Sequence, residues 1–288
     1  TFADPENARR VADFFLMELL RNGTTTAMVL PTVHRVSVEA FFEAAVERRM
    51  RMICGKVLMD RNAPPDLLDT AGMGFIESKA LIEKWHGKER LRYAVTPRFA
   101  PTSSSGQLSA AGKLLREYPD VYLHTHLSEN LKEVQWVASL FPESAGYLDV
   151  YDRAGLVGHH SVFAHCIHLT DNEMHRLCQT GASIAFCPSS NLFLGSGLFN
   201  LSRAQRMGVR TGIGTDVGGG TSLSILRTLQ DAYKTQQLLG NRLSPMSAFY
   251  LATLGGARVL DLDDFIGNFL PGKEADFIVL DDRATPLQ

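Results

Sequence analysis

Along the chain, short apolar runs rich in Val, Ile, Thr and aromatic residues alternate with longer stretches in which apolar positions recur every three or four residues. Runs of the first kind suit buried strands and stretches of the second suit amphipathic helices, so their regular exchange predicts βα units around a mostly parallel sheet. Seven strands are expected, over 24–30, 51–58, 91–98, 121–127, 161–167, 183–188 and 210–216. Helix punctuation falls between them. Asp4 and Pro5 offer an N-cap and a first-turn proline, Thr170 and Glu173 a capping box, Ser244 and Pro245 a further start, and Gly23 a stop.

Seven such units with no Gly-, Pro- or Ser-rich linker favour one α/β barrel of the distorted (β/α)8, TIM type over two domains. Because the pattern opens on a helix, the first barrel strand is expected upstream of Thr1. The barrel is assigned to residues 1–265. Residues 266–288, with a turn at Gly272 and a strand over 276–280, are expected to begin a flanking β-sandwich element.

Composition narrows the functional classes. The 288 residues carry 29 basic and 31 acidic side chains, a net charge of −2, which leaves no basic footprint for nucleic acid. Hydrophobic residues at 45% and charged ones at 21% exclude collagen-like, coiled-coil and wholly disordered chains. The longest uncharged run, 177–202, is broken by Gly181, Pro188, Gly195 and Gly197, so no membrane span is expected. Cys54, Cys166, Cys178 and Cys187 form no C-x-x-C pair, and with no targeting segment visible a reducing, cytoplasmic setting fits.

Candidate chemistry gathers at the ends of the expected strands. His124 and His126 share one face of a strand by the period of two, with Glu129 just beyond; alone, such residues could equally be hydrogen-bonded core histidines and a helix-start carboxylate. His165 ends the next strand, and Asp216 ends a later one before Gly218, Gly219 and Gly220. In a parallel barrel these ends face the active site, and a series of imidazole, imidazole and carboxylate is a donor set that catalytic zinc takes. Arg98 and Phe99 close the preceding strand, offering a planar donor fork and a stacking face for a flat, acceptor-rich ring, although each could also be an ordinary ion-pair or core residue. Dinucleotide and P-loop glycine spacings are absent, as is a G-x-S-x-G elbow, and the cysteines lack a nucleophile context.

The strings Thr96-Pro97-Arg98-Phe99, His124-Thr125-His126-Leu127-Ser128-Glu129-Asn130, Ala164-His165-Cys166, Cys187-Pro188-Ser189-Ser190-Asn191-Leu192 and Gly214-Thr215-Asp216-Val217-Gly218-Gly219 resemble the amidohydrolase superfamily, and within it the branch that deaminates guanine. Asn22-Gly23-Thr24-Thr25-Thr26 and Leu251-Ala252-Thr253-Leu254-Gly255-Gly256-Ala257 extend the likeness over nearly the whole chain. The resemblance implies one Zn²⁺ per chain, bound at positions matching His126, His165 and Asp216 and by an upstream His-x-His pair that this sequence does not contain.

It implies hydrolysis of guanine to xanthine and ammonia by water that zinc activates. Asp216 would accept the water's proton, Glu129 would shuttle protons, and His165 would donate a hydrogen bond through the nitrogen not bound to metal. Arg98, with Phe99, would hold the base. His124 and His168 are implied to be pocket residues rather than ligands. A homodimer follows from the family alone. Other amino-heterocycles as substrate, namely a triazine, a pterin or a modified purine, remain open, as does a non-catalytic barrel serving as a scaffold.

Overall fold

The computed structural model describes residues 1–281. Eight strands form one parallel sheet: β1 (Thr26–Val29), β2 (Arg51–Cys54), β3 (Val57–Leu58), β4 (Arg92–Pro97), β5 (Tyr122–Leu127), β6 (Ser161–His165), β7 (Ser183–Phe186) and β8 (Arg210–Ile213). The order is β1-β2-β4-β5-β6-β7-β8, with β3 beside β4 and helices between successive strands. This is the curved sheet of a distorted (β/α)8 barrel, and among the described residues no ladder joins β8 back to β1.

The single strand expected over 51–58 is broken in two without losing register. Ile53 and Cys54 face Arg92 and Tyr93, and beyond the break Val57 and Leu58 face Thr96 and Pro97. Gly55 lies so close to β4 that a Cβ on it would stand 1.8 Å from the Ala94 carbonyl oxygen. The Lys56 amide then bonds the Tyr93 hydroxyl at 3.1 Å instead of the ladder. Its ammonium is buried and pairs with Asp69 and Glu77.

Alternation sorts the side chains. Tyr93, Val95, Leu123, Leu127, Phe163, Ile184 and Phe186 point outward into the main core with Phe42, Leu81, Trp85 and Leu114 of the surrounding helices. The inward Ile53, Ala94 and Tyr122 meet Ala257, Leu262 and Ile266, which plug the barrel towards the N-terminal ends of its strands. That leaves the opposite end for polar chemistry.

The expected helix signals are used. Asp4 caps the helix Pro5–Arg21, Thr170 and Glu173 form the capping box of Asp171–Thr180, Ser244 caps Pro245–Ala252, and Gly23 leaves the first helix at φ +79. The strand expected over 276–280 does not form. The Asp276 amide bonds only back to the Glu274 carbonyl, while the side chains of Glu274 and Asp276 tie to Arg51 and Arg90. No strand among the described residues lies alongside it, and a lone strand has nothing to satisfy its backbone. No described helix is long and apolar enough to cross a membrane.

Candidate active site

The polar residues arrive at one mouth because each follows the C-terminal end of a strand. His124 and His126 share the inner face of β5, with Thr125 and Leu127 buried on the other. Glu129 lies in the loop before the helix Leu131–Leu140, His165 ends β6, Asp216 follows β8, and Arg98 follows β4. The loops turn sharply. Ser128, Cys166 and Asp216 have φ of 50°, 58° and 47°, a left-handed conformation that costs non-glycine residues of order 1 kcal/mol and concentrates at functional sites. After Asp216 the chain folds back so tightly that a Cβ on Gly220 would lie 2.0 Å from the Thr215 carbonyl oxygen.

His165 is the centre of the group. It is 1% exposed, and its Nε2 stands 3.6 Å from Glu129 Oε2 and 3.7 Å from Asp216 Oδ2. The His126 ring is 5.6 Å away, centroid to centroid. His126 Nδ1 lies 2.7 Å from the Arg98 carbonyl oxygen. A carbonyl can only accept, so Nδ1 carries the proton and Nε2 the lone pair. His165 Nδ1 faces Asn191 Oδ1 at 2.8 Å, which likewise frees Nε2. Burial, and then the neighbouring His165, hold the His126 pKa below its ordinary value. Two imidazoles and a carboxylate at the mouth are the donors a divalent metal accepts, and the residues fit one.

With Nδ1 engaged by Asn191, His165 has a single nitrogen for the site and cannot both bind metal and donate a hydrogen bond to the reacting centre. His124 has a buried Nδ1 without a partner among the described residues, and burial with His126 beside it pushes its pKa down to about 3. It is a neutral pocket residue. His168 gives Nε2 to the Ser196 carbonyl at 2.8 Å and stays apart.

The donors of His126, His165 and Asp216 are more widely spaced than those of a second group, His159, His160 and Asp261, which lie within 4.8 Å of one another. There, however, Arg210 Nη1 already sits 2.6 Å from Asp261 Oδ1 and supplies the positive charge. A recess of about 350 Å³ beside Val33, His34, Lys56 and Asp66 contains none of the mouth residues.

Arg98 is exposed and, among the described residues, makes no ion pair; its guanidinium lies over the Phe99 ring at 4.9 Å. Phe99 meets His126 and Trp136 edge-on, each at 6.3 Å. The pair thus presents a cationic fork and an aromatic wall beside the histidines. Glu129 Oε1 accepts from the Ser196 hydroxyl at 2.8 Å, leaving Oε2 towards His165. Burial pushes the Cys166 and Cys187 thiols well up, which disfavours a thiolate nucleophile. Asn191, Ser196 and Tyr151, whose hydroxyl donates to the His126 carbonyl at 2.8 Å, were not expected to serve the site. Only Asn191 lay inside a motif string.

Residues 2–288 match the model of the amidohydrolase family. The chain belongs to the amidohydrolase family. This amidohydrolase is 60% identical over 287 residues to the guanine deaminase of Escherichia coli strain K12, covering all of the chain here and 65% of that protein. A solved structure of E. coli guanine deaminase superposes with a TM-score of 0.98, covering 99% of this chain and 67% of that one. A crystal structure of guanine deaminase from C. acetobutylicum with guanine bound in its active site matches at a TM-score of 0.90 and 30% identity, over 96% of this chain and 67% of that one. An adenosine deaminase from Xanthomonas campestris with bound zinc gives 0.83 at 26% identity, over 94% and 61%. The amidohydrolase chain thus spans about two thirds of each relative.

Proposed function

We propose that this chain is the barrel portion, over residues 1–265, of an enzyme that hydrolyses guanine to xanthine and ammonia, with residues 266–288 opening a β-sandwich element. The observation that carries the reading is the convergence of Glu129 and Asp216 on His165 Nε2, at 3.6 and 3.7 Å, beside a free Arg98–Phe99 pair. The 60% identity to a guanine deaminase supports the same substrate. In this reading His126, His165 and Asp216 would hold one zinc ion. Zinc supplies activation of water at neutral pH.

The side chains do the rest. Arg98 directs two donors at the guanine carbonyl and the neighbouring ring nitrogen, and Phe99 stacks on the ring. Asp216 takes a proton from the attacking water. Glu129 passes that proton to the ring nitrogen next to the carbon under attack and then moves the hydroxyl proton of the resulting intermediate to the departing amine, so that guanine and water become xanthine and ammonia. The cytoplasmic setting, a place in purine breakdown and a homodimer belong to this proposal and rest on the family likeness.

Steady-state kinetics of the zinc-loaded protein on guanine and adenine test it. Guanine is expected to be favoured by at least tenfold, because adenine puts an amino donor where Arg98 seeks an acceptor, a mismatch of about 1–3 kcal/mol. Glu129→Gln is expected to keep its zinc and lose about two or more orders of magnitude in turnover. Equal turnover of adenine, or a preference for a triazine or pterin, overturns the substrate; no turnover of any amino-heterocycle returns the chain to a scaffold.

A further inference from the structure

We infer that Tyr151 is a positioning residue: its hydroxyl is wedged into the seam between β4 and β5 and sets how far the Arg98–Phe99 pair stands from His126. Its effect on turnover rests on the function proposed above, whereas the wedge itself does not. Where two parallel strands run together, the amide and carbonyl of one residue bond to residues two apart on its neighbour. The His126 amide makes the first of these bonds, to the Arg98 carbonyl at 3.2 Å. The second would run from the Ala100 amide to the His126 carbonyl. Instead the Tyr151 hydroxyl accepts from the Ala100 amide at 2.9 Å and gives its one proton to the His126 carbonyl at 2.8 Å, standing between the two groups that would otherwise pair.

A direct bond would hold the two backbones at the ordinary strand spacing of about 4.8 Å, and one inserted oxygen widens it. Phe99 lies at this opening. Both its neighbours are tied to His126, Arg98 through its carbonyl and Ala100 through Tyr151, and its own backbone is extended at φ −170° and ψ 165°. Tyr151 has no freedom to leave: it is fully buried on the helix Tyr147–Arg153, and its ring stacks on Phe163 of β6 at 5.8 Å and 27°. Without the hydroxyl, the Ala100 amide and the His126 carbonyl either stay unpaired, which frees the loop, or close on each other, which draws Phe99 in. A shift of about 1 Å in a group that orients a substrate can cost a hundredfold in rate.

The test compares Tyr151→Phe with Tyr122→Phe in the full, zinc-loaded chain. Tyr122 starts β5, buried at the opposite end of the barrel, and its hydroxyl donates to the Leu260 carbonyl, so the second variant loses the same kind of bond away from the mouth. In Tyr151→Phe, kcat/KM for guanine is expected to fall by about ten- to a hundredfold. Adenine, which makes no use of the Arg98 fork, is expected to lose less, so that the preference for guanine narrows by about tenfold or more. Tyr122→Phe is expected to keep the parent's preference, and both variants the parent's zinc content by metal analysis. In ¹H–¹⁵N spectra the Ala100 amide is expected to shift and to exchange faster with solvent in Tyr151→Phe but not in Tyr122→Phe.

A preference unchanged in Tyr151→Phe, or narrowed as far in Tyr122→Phe, overturns the inference. If Tyr151→Phe does not fold, the parent decides. Saturating xanthine, the product, is expected to shift the Ala100 amide and the slowly exchanging Tyr151 hydroxyl proton, and a seam that does not respond to the bound base overturns the inference equally. A parent that does not turn over guanine ends the function proposed above; the Ala100 amide, moved in Tyr151→Phe alone, then still upholds the wedge, and unmoved there overturns it.

Discussion

A carboxylate that gives and takes a proton works best with one oxygen anchored and the other facing the reaction. Glu129 has this arrangement, because the Ser196 hydroxyl holds Oε1 at 2.8 Å while Oε2 faces His165. A hydrogen bond to a charged group is worth about 1.5–3 kcal/mol, and each 1.4 kcal/mol of transition-state stabilisation is about a factor of ten. Ser196→Ala is therefore expected to lower kcat of the proposed reaction by about tenfold or more at little change in KM, with Ser196→Thr restoring most of it. Equal pH–rate profiles and kcat in alanine variant and parent would separate Ser196 from the acid/base step. Among the described residues Arg98 makes no ion pair to lose, so Arg98→Ala is expected to retain zinc by metal analysis while raising KM for guanine. The side-chain hydrogen bonds to Glu129 and His165 do not show in the local pattern, since Ser196 and Asn191 reach them from a segment remote in sequence.

At the level of elements, β2 and β3 show how closely backbone contact constrains a strand. The run over 51–58 reads as one strand because its apolar content is continuous; the break at Gly55 comes from β4, whose Ala94 carbonyl occupies the space a side chain would need. Gly55→Ala must push two strands apart, and overpacking of this kind costs about 1–3 kcal/mol or more. Its urea midpoint is expected to fall clearly below that of the parent; an unchanged midpoint would show that the strands can separate freely here. Helix starts were legible from local signals because Asp4, Thr170 and Ser244 cap their own first turns. The strand expected over 276–280 was not, because a strand depends on a neighbour that its own residues do not specify.

For the whole molecule, stability on acidification has a traceable contribution from His86. Its Nδ1 accepts the Tyr93 amide at 3.0 Å, which joins the end of the helix Ala71–Trp85 to β4, and Nε2 faces Asp120 at 3.1 Å. Protonating Nδ1 breaks the first bond. Burial holds the His86 pKa below its ordinary value although Asp120 pulls the other way. The unfolded chain therefore takes up this proton first, and the contribution is complete above about pH 6.5 and is lost as the pH falls through the folded value. Urea midpoints at about pH 7.5 and 5.5 are expected to drop in the parent and to drop less in His86→Gln. A parallel loss in both would assign the acid sensitivity to other groups.

Periodicity alone determined the parallel α/β order, the seven runs that supply the eight strands of the curved sheet, and the strand ends on which His126, His165, Asp216 and Arg98 gather, because side-chain alternation and capping act within a few residues. The identity of the mouth residues was equally legible, since donors of metal-binding type recur at equivalent places in successive units. Tertiary structure decided what those donors can do. The Arg98 carbonyl selects one nitrogen of His126, Asn191 occupies Nδ1 of His165, Ser196 holds one oxygen of Glu129, and Arg210 neutralises Asp261 in a rival cluster. Each of these is a contact between segments far apart in the chain, and hydrogen-bond direction depends on which atom the folded structure brings within reach.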